Sequence, residues 1–115
     1  MDLAGKLQLK QGETLCVQNA PKAFRWDGLT DKDPDKADGV LFFAQSARDL
    51  ANAQGFVDAA KSDRLAWLAY PKAGQLATDL ARDNLVEKLG AGGIQVVRVI
   101  SIDDVWSAAR FRPVP

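Results

Sequence analysis

The chain of 115 residues contains no histidine, one cysteine, one methionine and one tyrosine. Without histidine there is no Ser–His or Cys–His nucleophile pair, and the most usual general base near neutral pH is missing. A single cysteine excludes an internal disulfide and, with histidine absent, a structural zinc site as well. No apolar run approaches the ~20 residues that a membrane-spanning helix needs. Neither charge is in surplus: Lys plus Arg is 15 and Asp plus Glu is 15. A nucleic-acid binder normally carries a basic excess, so neither nucleic acid nor membrane is an expected partner. Residues 1–6 lack a basic stretch leading into an apolar core and do not read as a signal peptide; cytoplasmic residence is expected.

Apolar residues make up 47% of the chain and charged residues 26%, the balance of a globular protein. Residues 1–115 are expected to form a single α/β domain, long enough for a core without staples. Its organising stretch is residues 64–71, Arg-Leu-Ala-Trp-Leu-Ala-Tyr-Pro. In a strand, Leu65, Trp67 and Ala69 share one side and Ala66, Leu68 and Tyr70 the other. Neither side is wet, which predicts a central strand covered on both faces. Pro71 has no N–H for a ladder and ends it.

Around this strand the chain alternates. Asp2 caps a short helix carrying Leu3 and Leu7, and residues 14–19 form a first strand. Residues 20–38 are a long polar loop, too charged for an amphipathic crossover helix. Residues 39–44 read as a second strand. Ser46 and Asp49 fit a capping box that starts a helix with Leu50, Ala53, Val57 and Ala60 at helical spacing, weakened by Gly55 in its middle. After the organising strand, a helix from Leu76 to Leu89 buries Ala77, Leu80, Ala81, Leu85 and Leu89, leaving Asp79, Arg82, Asp83 and Glu87 in water. Gly90 stops it. Residues 94–102 form a fourth strand, Asp103 and Asp104 make a turn, and residues 106–112 return antiparallel as a fifth. The sheet is expected to be mainly parallel, with the antiparallel strand at the C-terminus.

Few side chains carry chemistry. Cys16, between Leu15 and Val17, reads as a buried and inert thiol. Asp31, Asp33 and Asp35 imitate a calcium loop, but Lys36 stands where the sharp turn needs Gly and Phe42 where the last ligand should be Glu. No metal or other cofactor is expected. Arg110 and Arg112 flank Phe111 and read as the solvent side of an edge strand. In open α/β sheets ligands bind beyond the carboxyl ends of the strands. That edge collects Asn19, Lys22, Ser46, Tyr70, Lys72, Asp103 and Asp104, while Gly74 and a following helix start would add amides suited to an anion.

From Gly39 onward the order of elements resembles the second half of a class I S-adenosylmethionine-dependent methyltransferase. A strand, helix, strand and helix lead there into a closing antiparallel pair. Gly39 before its strand, Tyr70-Pro71-Lys72 at a strand end, the Gly92-Gly93 turn and Asp103-Asp104-Val105-Trp106 carry the resemblance. The whole chain is also similar to a small bacterial family of unknown function. The resemblance implies a truncated Rossmann-like scaffold with both long helices on one face. The family binds its cofactor through a glycine-rich turn after the first strand. Here Asn19-Ala20-Pro21-Lys22 stands in that place, with no glycine before Gly28, so methyltransferase activity is not expected.

With both helices on one face, the other is left to the short N-terminal helix and to Phe24, Trp26 and Leu29. Either these cover it, or a second copy does, with Phe24, Trp26 and Leu29 at the interface of a homodimer. The leading functional expectation is a non-catalytic, self-associating or partner-binding module. The alternative is a small-anion or nucleotide-like ligand at the carboxyl edge, with Lys22 and Lys72 as contacts and Asp103 as an acid or base.

Overall fold

A computed structural model describes residues 2–76, 78–80, 82–90 and 92–115. Helix α1 (Leu3–Lys6) precedes strands β1 (Leu15–Gln18) and β2 (Gly39–Phe43). A 3-10 segment (Ala47–Asn52) leads into α2 (Gln54–Lys61) and β3 (Leu65–Pro71). Helix α3 (Arg82–Gly90) and strands β4 (Ile94–Ser101) and β5 (Trp106–Pro113) complete an α/β fold. Its one five-stranded, open, mixed sheet has the order β1-β2-β3-β5-β4. Among the described residues no helix is long and apolar enough to cross a membrane.

The expectation of a mainly parallel sheet needs correction. The β1–β2 and β2–β3 pairings are parallel, but β3–β5 and β4–β5 are antiparallel and together the longer. The cause is the short turn after β4, which cannot carry a crossover. β5 therefore runs back, and it inserts between β3 and β4 instead of adding outside them. One reversed strand placed there makes two antiparallel pairings. It also makes β4, not β5, the edge.

Two helices differ from the sequence expectation. The helix expected after Ser46 is divided, a 3-10 segment and then α2, with Ala53 at the joint (φ −94°, ψ 22°). The helix expected from Leu76 starts only at Arg82. Leu76 has φ +53°, and the Thr78 hydroxyl accepts from the Leu80 amide at 3.0 Å. This local bond competes with a helical turn. Leu80, Leu85 and Leu89 are buried as the spacing predicts, and Glu87 is exposed. Ala77 and Ala81, and the side chains of Arg82 and Asp83, lie outside the described residues.

The period-two reading of β3 holds. Ala66, Leu68 and Tyr70 join a core with Val40, Phe42, Phe56, Leu85 and Phe111, under α2 and α3. Phe56 of α2 meets Phe111 of β5 edge-on at 5.5 Å. Trp67 and Ala69 face the other side with Leu15, Leu41, Phe43 and Trp106. That side is covered within the chain by Leu3, Leu7 and Leu9 and by Phe24 and Trp26. Phe24 packs on Phe43 at 4.8 Å, and Phe43 on Trp106 at 5.1 Å. The Trp67 indole N–H donates to the Leu7 carbonyl at 3.0 Å and ties α1 to the middle of the sheet. Leu29 stays exposed.

The 20–38 loop is long but held. Asp31 and Asp33 each accept from the amide two residues on, at 3.0 and 2.9 Å, so they stabilise turns. The Arg64 guanidinium donates to the carbonyls of Pro34 and Ala37 at 2.8 and 2.9 Å. Pro34 lies against Gly55 of α2, where an added Cβ would stand 2.9 Å from the ring. Gly55, expected in the middle of a helix, instead lies in the first turn of α2, and its lack of a Cβ leaves room for Pro34. Cys16 is buried beneath this loop, its thiol donating to the Lys32 carbonyl at 3.6 Å. Burial first, then the nearby charges of Asp31 and Asp33, push its pKa up.

Candidate functional site

At the carboxyl edge, the side chains singled out by sequence are largely engaged in holding the fold. Asn19, in the left-handed region at φ +59°, donates from its amide to the Phe43 carbonyl at 2.8 Å. Asp49 accepts from the amides of Gln45 and Ser46 at 2.9 and 3.3 Å, completing the capping box with Ser46. The Ala47 amide, next in line, donates to the Asp79 carboxylate at 2.8 Å, and the Thr78 hydroxyl donates to the Gln45 carbonyl. The first-turn amides after β2 thus meet carboxylates of the chain itself. Among the described residues no helix begins directly after Gly74; the Gln75 amide donates to the Lys72 carbonyl at 2.9 Å in a turn.

The remaining residues divide between two places. Lys72 donates from its ammonium to Ser101 Oγ at 2.7 Å and from its amide to the Val105 carbonyl at 2.7 Å. Asp103 Oδ1 accepts from the amides of Val105 and Trp106, both at 2.8 Å, and shapes the β4–β5 turn. Lys22 is exposed elsewhere, its carbonyl accepting from Arg25 at 3.1 Å. The two lysines have different neighbours. Tyr70 is buried in the helix-side core, and Asp104 is exposed. Asn19, Gln45, Asp49 and Trp106 line a cleft of about 300 Å³ at the ends of β1 and β2.

A second grouping lies at the opposite end of the sheet, where β3 and β4 begin and β5 ends. Arg110 on β5 stands opposite Trp67 of β3 on one side and Arg98 of β4 on the other. Arg112, two residues on, projects from the same face. Asp63, just before β3 at φ +60°, holds Arg112 through two bonds of 2.8 and 3.0 Å. That hydrogen bond keeps the Asp63 carboxyl below its ordinary range and raises Arg112. Arg110 donates to Gln8 Oε1 at 2.5 Å, while its buried Nε has no hydrogen-bond partner among the described residues. Burial, then the charge of Arg112, with Arg98 adding to it, holds the Arg110 guanidinium below its usual range.

Sequence reading missed this cluster because it assigned Arg110 and Arg112 to the wet side of an edge strand. β5 is an interior strand, and its arginines therefore face neighbours on both sides. The alternation Arg110-Phe111-Arg112 and the lone Arg98 in an apolar strand were the available signals.

The two sheet edges also differ. β1 is bridged at its first residue by the 29–31 segment: the Leu15 amide donates to the Leu29 carbonyl at 3.0 Å and the Asp31 amide to the Leu15 carbonyl at 3.3 Å. Among the described residues β4 pairs with β5 alone, and no strand lies on its outer side, where the Ser101 carbonyl accepts from the Lys6 ammonium at 3.2 Å. Val97 and Val99 on it are 48% and 38% exposed. Among the described residues no group of three or more acidic or cysteine side chains is placed to hold a metal ion. No protein-family model matches the chain, and no curated protein matches it.

Proposed function

We propose that this chain is a non-catalytic binding module on a truncated methyltransferase-like scaffold, and that it receives an extended partner segment along β4. One observation carries the reading: the sheet bridges its short β1 edge with its own chain at Leu15, while among the described residues the longer β4 edge has no strand beside it and meets its own chain at the Ser101 carbonyl, held by Lys6. Such an edge offers a row of unpaired amides and carbonyls to an added strand. The closing antiparallel pair β4–β5 and the placement of α2 and α3 on one face support the scaffold resemblance. The anion reading of the carboxyl edge has less support, since Asp49 and Asp79 take the amides an anion would use.

Self-association loses its first motive, because α1, Phe24 and Trp26 lie over the face that a second copy was expected to cover. A second copy added about a two-fold axis on β4 would bring two arginine clusters onto one surface. A different chain is the better occupant.

The test is amide exchange followed by NMR while a blocked decapeptide of alternating Gln and Val is added. Slower exchange confined to alternate β4 amides is the expected result. Unchanged β4 exchange up to millimolar peptide would overturn the reading. Protection of β4 by concentration alone, with a dimer in sedimentation, would overturn it in favour of a second copy.

A further inference from the structure

The irregularity in β4 decides which side chains the open edge presents. Val96 pairs with Phe111 and Arg98 with Arg110, so Val97 is an extra residue in the ladder. In a regular ladder Val97 would face Arg110, and Arg98 would fall opposite Ala109 on the helix-covered side. The bulge reverses the alternation. It carries Arg98 onto the same face as Arg110 and puts Val99, opposite Ala109, on the other. Bulges protect edges by twisting them, but this one also assembles three arginines on one surface.

That surface is unbalanced within a chain of zero net charge. Like charges directly opposite across a ladder are destabilising. Here Arg98 and Arg110 are such a pair, and among the described residues the acid in contact with the cluster is Asp63, which is bonded to Arg112. Arg110 is partly buried, with one donor on Gln8 and another unpartnered among the described residues. Asp63 shows how a carboxylate seats on this surface, through a two-pronged contact to a guanidinium.

We infer that the segment received along β4 is acidic, with carboxylate side chains on the face of Arg98, Arg110 and Arg112 and apolar side chains on the face of Val99. The inference rests on the β4 reading proposed above and supplies the chemistry of the partner. An added strand lies roughly 4.8 Å beyond β4, so its residue opposite Arg98 approaches to within ~5 Å between Cβ atoms. A glutamate there pairs with Arg98 directly. A second, two residues along, reaches toward Arg112 and competes with Asp63. The exposed Val99, on the other side of Arg98 from Arg112, then meets the apolar residue that flanks the first glutamate there.

The experiment compares blocked decapeptides of alternating Glu and Val, Gln and Val, and Lys and Val, with an oligothymidylate as a polyanion of another class. Binding is read by fluorescence anisotropy at low and high salt, and β4 amide exchange is followed in parallel. The Glu–Val peptide should bind about tenfold tighter than the Gln–Val peptide, with the advantage shrinking at high salt. Arg98→Gln, at an exposed position, should remove that advantage while the fold stays intact by circular dichroism. Asp63→Asn keeps a residue suited to φ +60° and frees Arg112, so it should tighten Glu–Val binding several-fold.

Equal affinity for Glu–Val and Gln–Val peptides with β4 amides protected by both would overturn the acidic chemistry and leave the edge reading standing. Selective binding of Glu–Val with unchanged β4 exchange would overturn the edge reading and, with it, the strand-paired geometry inferred here. Oligothymidylate binding as tightly as the Glu–Val peptide, or weaker Glu–Val binding in Asp63→Asn, would also overturn the inference.

Discussion

Gly55→Ala sets two physical effects against each other and fixes the sign of the result. Gly55 lies in the first turn of α2, where alanine in place of glycine at a compatible backbone conformation ordinarily stabilises by about 0.4–1 kcal/mol, chiefly through the entropy of the unfolded chain. At Gly55 the added Cβ would stand 2.9 Å from both Cβ and Cγ of Pro34 and 3.3 Å from Gln18 Oε1. The Pro34 ring cannot swing aside like a flexible side chain, and Arg64 holds the Pro34 carbonyl at 2.8 Å. Overpacking of this kind costs about 1–3 kcal/mol, so the expected net change is a loss of about 1 kcal/mol. In a domain of this size that lowers the melting temperature by about 4 °C. Urea unfolding followed by tryptophan fluorescence measures it. Pro34→Gly removes the ring, and in its background Gly55→Ala should become neutral or stabilising. The coupling from this double-mutant cycle is the deciding quantity. A stabilised Gly55→Ala single variant, or zero coupling, would refute the packing argument.

Two further outcomes are expected. Trp67→Phe removes the N–H that holds the Leu7 carbonyl and leaves a void at the centre of the face under α1. It should cost about 2–4 kcal/mol and speed hydrogen exchange of the 5–9 amides, and unchanged exchange there would disprove the tie to α1. The Cys16 thiol has its pKa raised from 9.0 by burial and by Asp31 and Asp33, so it should resist alkylation in native protein at about pH 8 and react after unfolding. The sign for stability follows: the unfolded thiol ionises first, so this contribution is complete below pH 9.0 and is lost as pH rises past the folded value. Rapid native labelling would count against it.

Much of the architecture was legible before any coordinates. The two-faced pattern of residues 65–70, the capping box at Ser46 and Asp49, the buried Cys16 and the antiparallel return after Asp103 all follow from local spacing and chemistry. Asp103 also bonds turn amides as its sequence setting suggests. The first turn of the expected 76–89 helix was misread because hydrophobic spacing does not register Thr78 and Asp79 bonding to the chain after β2. The strand-end residues were read as one group, whereas Lys72 and Asp103 sit at the β4–β5 turn and Lys22 is exposed elsewhere beside Arg25. Whether a lysine serves a ligand or a neighbouring serine depends on long-range contacts, as Lys72 with Ser101 shows.

Sequence by itself determined the periodic features: which faces are apolar, where strands end, and which catalytic chemistry the missing histidine removes. These depend on residues close together along the chain. Tertiary structure decided where β5 inserts, and that one placement made the sheet mixed, turned β4 into the edge and set Arg110 between Trp67 and Arg98. It also decided why Gly55 is a glycine and how α1 is anchored. The physical reason is common to all of these. Strand order, a ladder bulge and the seating of a loop on a helix are pairings between distant segments, selected by packing and hydrogen bonding that no local period encodes.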